Sequence, residues 1–169
     1  MDRNSFTSPS SFADYGNLRF LSLIENNITA FKSKFFNLSR LEILDLRKNP
    51  LVELQLSLPK LKRLDASYTY LQVLNMSIFK SPRLEYIKFQ YSNLSKLDLK
   101  QGAKSVRYMH LYNSNISEFH SSLYQLPSIE VIDLRFNPLK YIDLSNGLWN
   151  LRQLYLDYCN LTELKLIQY

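Results

Sequence analysis

The side chains able to do covalent or acid–base chemistry are few in this chain of 169 residues. It has two histidines, His110 and His120, and one cysteine, Cys159. An imidazole acts as acid or base only when a partner group sits within hydrogen-bond reach. Neither histidine has an acid or nucleophile at a motif spacing, so both read as exposed side chains. A metal site needs a converging set of ligands, and no such spacing is present. Cys159 reads as a buried structural thiol, because an apolar setting keeps a thiol protonated and inert. Three glycines, none in a Gly-rich loop, exclude a phosphate cradle. The sequence gives no case for an enzyme and implies no cofactor and no metal.

Two other sets of residues carry potential. Six asparagines lie in Asn-x-Ser/Thr acceptors for N-glycosylation: Asn27, Asn37, Asn75, Asn93, Asn115 and Asn160. That points to a glycosylated protein of the secretory route, extracellular or at a cell surface. The competing account is that the local pattern favours Asn-x-Leu-Ser/Thr even in a cytoplasmic chain. The second set is aromatic, with twelve tyrosines and ten phenylalanines. Tyrosine combines contact area with a polar handle and is enriched at binding hot spots.

What positions these residues is one motif written seven times: Leu-x-x-Leu-x-Leu-x-x-Asn-x-Leu. The copies begin at Leu18, Leu41, Leu61, Leu84, Val106, Ile129 and Leu151, at spacings of 23, 20, 23, 22, 23 and 22 residues. A fixed period in that range is the signature of a solenoid, whose coils bury their apolar edges only against their neighbours. The Leu-x-Leu step has period two, so it predicts a strand whose middle residue faces outward. The ninth position holds Asn26, Asn49, Thr69, Ser92, Ser114, Asn137 and Cys159. Short polar groups there can satisfy backbone that the turn leaves unpaired. Four of the glycosylation acceptors, Asn27, Asn93, Asn115 and Asn160, follow this position directly.

The motif resembles the leucine-rich repeat family over about Leu18 to Tyr169. Its turns, with Asn-Asn-Ile-Thr and Arg-x-Asn-Pro-Leu, resemble invertebrate extracellular members, including Toll-type receptor ectodomains and secreted immune proteins. The resemblance implies an α/β-type leucine-rich repeat solenoid, mostly β and loop. It implies a curved right-handed coil of about seven repeats, with a parallel β-sheet on its concave face. It also implies that the concave face binds protein. Departures from the pattern are the four ladder positions that are not Asn, and Ala66 where a core leucine is expected.

Five copies hold a second apolar phrase: Leu51 to Leu56, Leu71 to Met76, Leu94 to Leu99, Leu139 to Leu144 and Leu161 to Leu166. These predict short strands on a second side of the coil. In the first and fifth copies, Phe31 with Phe35 and Phe119 with Leu123 predict irregular or short helical turns instead. The second motif position alternates in sign without exception: Arg19, Glu42, Lys62, Glu85, Arg107, Glu130, Arg152. On a parallel sheet these are direct neighbours, and the ladder reads as structural cross-strand pairing.

The third, fifth, seventh and eighth positions should look out from the sheet. They place Tyr68, Tyr86, Lys88, Tyr91, Tyr108, His110, Tyr112, Arg135, Phe136, Tyr155 and Tyr158 where a partner could reach them. An exposed apolar cluster of this kind marks an interaction surface. The competing account is that the rings merely pack on one another. The formal charge of +6 raises nucleic acid as a partner. The outward and second positions, however, carry nine basic and eight acidic residues, interspersed rather than striped. The expected partner is a protein, not nucleic acid.

No apolar run approaches the roughly 18 residues of a membrane span, so membrane attachment would need a further segment. Residues 1–17 read as part of a preceding repeat or as a tail, and 18–169 as the repeat domain. Phe12, Tyr15 and Leu18 share the spacing of Phe35, Leu38 and Leu41, while Leu164, Leu166 and Ile167 finish inside a coil. Neither end carries the cysteine-rich cap that the resemblance implies for secreted members. Uncapped solenoid ends expose leucines, so the chain is expected to be a piece of a longer one or to dimerise through its ends. The alternative to extracellular recognition is an intracellular scaffold, such as a phosphatase regulator or a ubiquitin-ligase substrate adaptor.

Overall fold

A computed structural model of the chain describes residues 1–7, 15–35, 37–75, 80–99, 103–121, 126–145 and 148–166. Every motif copy contributes a three-residue strand at its third to fifth positions. These are β1 (Phe20–Ser22), β3 (Ile43–Asp45), β5 (Arg63–Asp65), β7 (Tyr86–Lys88), β9 (Tyr108–His110), β11 (Val131–Asp133) and β13 (Gln153–Tyr155). They form one seven-stranded parallel sheet in chain order. The register pairs each third position with the third of the next coil, and each fifth with the fifth. The middle residue of each strand points inward. Leu21, Leu44, Leu64, Ile87, Met109 and Ile132 are buried, as period two demands.

A second strand follows in all seven copies: β2 (Ala30–Lys32), β4 (Glu53–Gln55), β6 (Val73–Asn75), β8 (Lys96–Asp98), β10 (Glu118–His120), β12 (Tyr141–Asp143) and β14 (Glu163–Lys165). They pair as β2-β4, β6-β8 and β10-β12-β14. The five predicted extended segments are present. The first and fifth copies correct the expectation, because β2 and β10 are strands too. Phe31 and Phe119 are fully buried at the middle of each, where a single inward ring serves as the leucine does elsewhere. In the first copy a short 3-10 turn, Ser33–Phe35, comes after the strand rather than replacing it. Phe12, Met76, Leu123 and Ile167, which entered the sequence reading, lie outside the described residues.

The core is a column of leucines and their substitutes. First, fourth, sixth and eleventh positions are buried through most coils, including Leu41, Leu44, Leu46 and Leu51 of one coil. Ala66 is also fully buried, and the sixth position of the next coil is Phe89, equally buried. The small residue and the large one adjoin, which suits an interior that tolerates neither voids nor crowding. Each coil enters its strand by the same turn. The first-position amide donates to the carbonyl three residues earlier, as from Leu41 to Leu38 (3.1 Å) and from Val106 to Ala103 (3.1 Å). Leu18 makes the same bond to Tyr15 (2.9 Å).

The ninth-position ladder is what closes each turn. Asn49 Nδ2 donates to the carbonyls of Leu46 (2.9 Å) in its own coil and Leu23 (2.9 Å) in the previous one, and its Oδ1 accepts from Ile28 (3.1 Å). Asn137 donates to Leu134 (2.8 Å) and Leu111 (2.7 Å) and accepts from the amides of Ser114 (3.0 Å) and Ile116 (2.9 Å). Thr69 donates to the carbonyl of Ala66 (2.9 Å), and Ser114 donates to that of Phe89. Cys159 Sγ reaches the carbonyl of Leu134 at 3.2 Å. Burial pushes its thiol above the ordinary range, as a structural role requires.

Residues Met1 to Phe6, within the stretch 1–17 read as part of a preceding repeat or as a tail, extend this ladder by one turn. Arg3 donates to the carbonyl of Ile24 (2.8 Å), Asn26 donates to that of Met1 (3.1 Å), and Phe6 donates to Asn26 Oδ1 (3.3 Å). Met1-Asp2-Arg3-Asn4-Ser5-Phe6 therefore stands in the sixth to eleventh positions of a coil preceding the first copy. Leu164 and Leu166 are 49% and 56% exposed.

Removing one ladder side chain should cost more than any surface change. Asn137→Ala leaves two carbonyls and two amides without their partner. Each buried unsatisfied group costs about 1–3 kcal/mol, and with water recovering part of the loss the expected destabilisation is about 3 kcal/mol. Cys159→Ala should cost under about 1 kcal/mol, because the thiol is a weak donor in a half-exposed coil. Chemical denaturation of both variants, compared with the parent, checks the ranking.

Candidate functional site

The eleven residues singled out from the sequence all lie on one side of the molecule, but they form two groups. Tyr86, Lys88, Tyr108, His110, Arg135 and Tyr155 cluster on the seven-stranded sheet. Tyr68, Tyr91, Tyr112, Phe136 and Tyr158 form a row along the rim where the strands turn into the ladder.

On the sheet, cross-strand register sets Tyr86 beside Tyr108 and Lys88 beside His110. The Tyr86 ring lies 5.9 Å from that of Tyr108 and 5.1 Å from the His110 ring. The Arg63 guanidinium sits 4.7 Å from its centroid, and the Lys88 ammonium 5.6 Å. Arg135 lies over both Tyr155 (5.1 Å) and Tyr112 (5.7 Å). Tyr86, Tyr108 and His110 are half-buried as a result. The competing account of the sequence reading therefore holds in part here, since these rings do pack on each other. Beside them Asp45, Asp65, Arg47, Arg63, Tyr86 and Lys88 line a shallow cavity of about 280 Å³.

Two coils repeat the phrase Asp-Leu-Arg-x-Asn-Pro-Leu, at Asp45–Leu51 and Asp133–Leu139. In both, the arginine grips the aspartate two residues back with two parallel bonds. Arg47 Nε and Nη2 stand 2.9 and 2.7 Å from Asp45, and Arg135 Nε and Nη2 stand 2.9 and 2.8 Å from Asp133. Burial opposes ionisation of Asp133, but the hydrogen bonds from Arg135 outweigh it and hold the carboxyl below its usual range. His110 lies 3.9 Å from the same carboxylate. Burial, and then Lys88, nonetheless push the imidazole below its ordinary value.

The rim row has a backbone cause. The eighth position adopts a left-handed conformation in all seven coils: Glu25, Lys48, Tyr68, Tyr91, Asn113, Phe136 and Tyr158 have φ between 49° and 58°. Such φ values are uncommon for bulky side chains. They are held by a repeated bond in which the eighth-position amide donates to the seventh-position carbonyl of the next coil, as from Tyr68 to Gln90 (2.7 Å) and from Tyr91 to Tyr112 (3.0 Å). Successive eighth residues are thus displaced by one coil, about 4.8 Å in a parallel sheet, which is also the spacing of stacked rings. Tyr68 stacks on Tyr91 (4.7 Å), Tyr91 meets Tyr112 (5.1 Å), Tyr112 meets Phe136 (5.0 Å), and Phe136 stacks on Tyr158 (4.4 Å). Where Asn113 interrupts the aromatic series, Tyr112 of the seventh position fills the gap. Tyr68, Tyr91 and Phe136 remain 41–48% exposed and Tyr158 77%. Toward the N-terminus the same rim is ionic, Arg3 and Lys48 both pairing with Glu25. The sequence reading placed these side chains outward but missed their left-handed turn, because none of the seven is glycine.

The glycosylation acceptors Asn27, Asn37, Asn93, Asn115 and Asn160 are exposed, and Asn75 is half-buried in β6. The alternating charges of the second position make two close ion pairs among the described residues, Lys62 with Glu42 (2.8 Å) and Arg107 with Glu130 (2.7 Å). No group of three or more His, Cys, Asp or Glu among the described residues could hold a metal ion. No described helix is long and apolar enough to cross a membrane.

The architecture has known counterparts. It is similar to the leucine-rich repeat domain of APL1B, with a TM-score of 0.79, 21% identity, and coverage of 99% of this chain and 53% of that one. It is similar to a chain of the LRIM1/APL1C complex, with a TM-score of 0.71, 22% identity, and coverage of 89% and 28%. It is similar to a chain of the TLR13–ssRNA13 complex, with a TM-score of 0.60, 18% identity, and coverage of 89% and 33%. By fold the chain is a leucine-rich repeat solenoid, and it spans between about a quarter and about half of these structures' own length. No family model and no curated protein matches it by sequence.

A pH dependence follows from His110. Its folded pKa lies below the unfolded value of about 6.5, so the fold prefers the neutral ring. The contribution is fully present above that value and is lost as pH falls through the folded one. Asp133, also depressed, gives up its contribution only below about pH 4. The melting temperature should therefore drop between pH 7 and pH 5 in the parent and drop less in His110→Gln. Parallel melting curves for the two proteins would contradict this.

Proposed function

We propose that the chain is a non-enzymatic recognition module that binds a protein through the sheet and its aromatic rim, in the manner of an extracellular leucine-rich repeat receptor or secreted immune protein. The observation that carries this reading is the row of rings from Tyr68 to Tyr158. Five rings stand in contact across five coils, all close to the sheet cluster, and four of them are more than 40% exposed. An exposed aromatic run of this length is characteristic of a binding surface. The likeness of the fold to a chain of the LRIM1/APL1C complex supports a protein partner. Arg135, bound on one side to Asp133 and lying over Tyr112 and Tyr155, joins the rim to the sheet.

Glycans fit this arrangement. Asn27, Asn93, Asn115 and Asn160 sit two residues past the rim position in their coils, and the side chains of Asn93 and Asn115 lie 3.4 Å apart. Sugars there would border the aromatic row and leave the sheet side open.

A photo-crosslinking amino acid at Tyr91 should give covalent adducts with a protein from the native fluid, and one at Val52, on the other side of the coil, should give none. Tyr68→Ser with Tyr91→Ser and Phe136→Ser should weaken capture of that protein at least tenfold while the far-ultraviolet spectrum stays unchanged. Equal adducts at both positions would remove the aromatic rim from the site. Intact mass before and after enzymatic removal of N-glycans tests the secretory route. A fall in mass is expected, and an unchanged mass equal to that of the bare chain would favour the intracellular scaffold.

A further inference from the structure

The opposite end of the strands carries a feature that the binding surface does not use. Arg19, Arg40, Lys60, Lys62 and Arg83 surround Glu42 and line a cavity of about 340 Å³. Arg40, Lys60 and Arg83 each stand just before the first motif leucine of the second, third and fourth copies. The turn that begins each coil therefore repeats a cation at the coil spacing, about 4.8 Å. Arg19 and Lys62 add to this line from the second motif position. In the fifth to seventh copies the residue before the motif is Ser105, Ser128 and Asn150, so the cationic stretch is bounded. The sequence reading missed it because that position lies outside the motif and was not counted among the outward ones.

Lys62 is paired with Glu42 at 2.8 Å, and Lys62, then Arg19 and Lys60 more weakly, hold that carboxyl below its usual range. Glu85 is not among the residues that line the cavity. Among the described residues no carboxylate comes within ion-pair distance of Arg19, Arg40, Lys60 or Arg83. Four cations thus face one exposed hollow without a close ion-pair partner among the described residues, against the single carboxylate of Glu42, and like charges so placed favour any anion that can span them.

The lining also limits the ligand. Among the described residues no aromatic ring borders the cavity, so none offers a platform on which the bases of a single-stranded nucleic acid could stack. Among the described residues no apolar side chain lines it either, so none forms a pocket for the anchor residue of a peptide. What remains is a linear ligand with closely spaced oxyanions and little apolar surface, running across the coils rather than along the strands. We propose that this rim binds a segment of a sulfated polysaccharide, with Arg40, Lys60 and Arg83 contacting successive sulfates and Arg19 closing the end of the row. The proposal is independent of the aromatic rim, which lies at the far end of the same strands.

The test uses a heparin-derived hexasaccharide and isothermal titration at 150 mM NaCl. The parent should bind, the desulfated hexasaccharide should not, and affinity should fall steeply as salt rises, since binding releases counterions. Arg40→Gln with Lys60→Gln and Arg83→Gln should weaken binding at least tenfold. A control of equal charge loss, Lys96→Gln with Lys104→Gln and Lys140→Gln, should weaken it less than twofold. All six side chains are exposed, so both variants should keep the parent's melting temperature. Equal losses in the two variants would reduce the effect to net-charge attraction and overturn the site. Absence of binding by the parent, retention of the desulfated sugar, or tighter binding of inositol hexakisphosphate or polyuridylate would overturn the ligand assignment.

Discussion

Everything in this molecule depends on one spacing, the separation that backbone hydrogen bonding imposes between parallel strands. Each coil is joined to the next by bonds such as those from the Glu42 and Ile43 amides to the carbonyl of Arg19 (2.8 and 3.0 Å). They fix the coils about 4.8 Å apart. A residue type repeated at one motif position becomes a continuous line on the surface. The Asn ladder, the aromatic rim, the alternating charges and the cationic row are four such lines. None requires a long-range fold to bring its members together. The repeat length alone does so.

The spacing is maintained only if the turn after each strand is satisfied. The chain leaves the sheet there within four residues, and the carbonyl of the sixth position loses its backbone partner. The ninth side chain answers for two coils at once, as Asn137 does for Leu134 and Leu111. Asn has donors and an acceptor in one planar group, whereas Ser and Thr have a single hydroxyl. The middle coils accordingly use Thr69 and Ser92 together, 3.3 Å apart, both directed at the carbonyl of Ala66. Four departures from asparagine thus leave the ladder intact, with the load divided between neighbours.

Much of this was legible in the sequence, and what was not has identifiable causes. Seven leucine-phrased copies specify the strands and their register, because a slip by one residue would turn Leu44 outward and Asp45 inward. The strands at Phe31 and Phe119 were misjudged because their copies lack the second leucine phrase, and one buried ring was sufficient. The ladder turn at Met1–Phe6 was legible only as part of a preceding repeat or a tail, because the phrase has only half a motif and Met in place of Leu. The sheet aromatics were placed correctly, but composition could not show that Arg63, Lys88 and His110 occupy the space around Tyr86. The cationic row escaped because it sits before the motif rather than within it.

The rim presents a trade that bears on its use. Left-handed φ at a non-glycine residue costs of the order of 1 kcal/mol, and the eighth position bears it in all seven coils. Glycine would relieve the backbone there, yet none is present. Each ring contact returns about 0.5–1.5 kcal/mol, so stacking roughly offsets the strain without creating a stability surplus. The return lies in order rather than in stability. A tyrosine clamped between neighbours has already given up rotamer freedom that a free side chain loses only on docking, at about 0.5–1.5 kcal/mol per residue. Rings such as Tyr91 and Phe136, stacked on one neighbour, in tilted contact with the other and still 41% exposed, are pre-organised for contact.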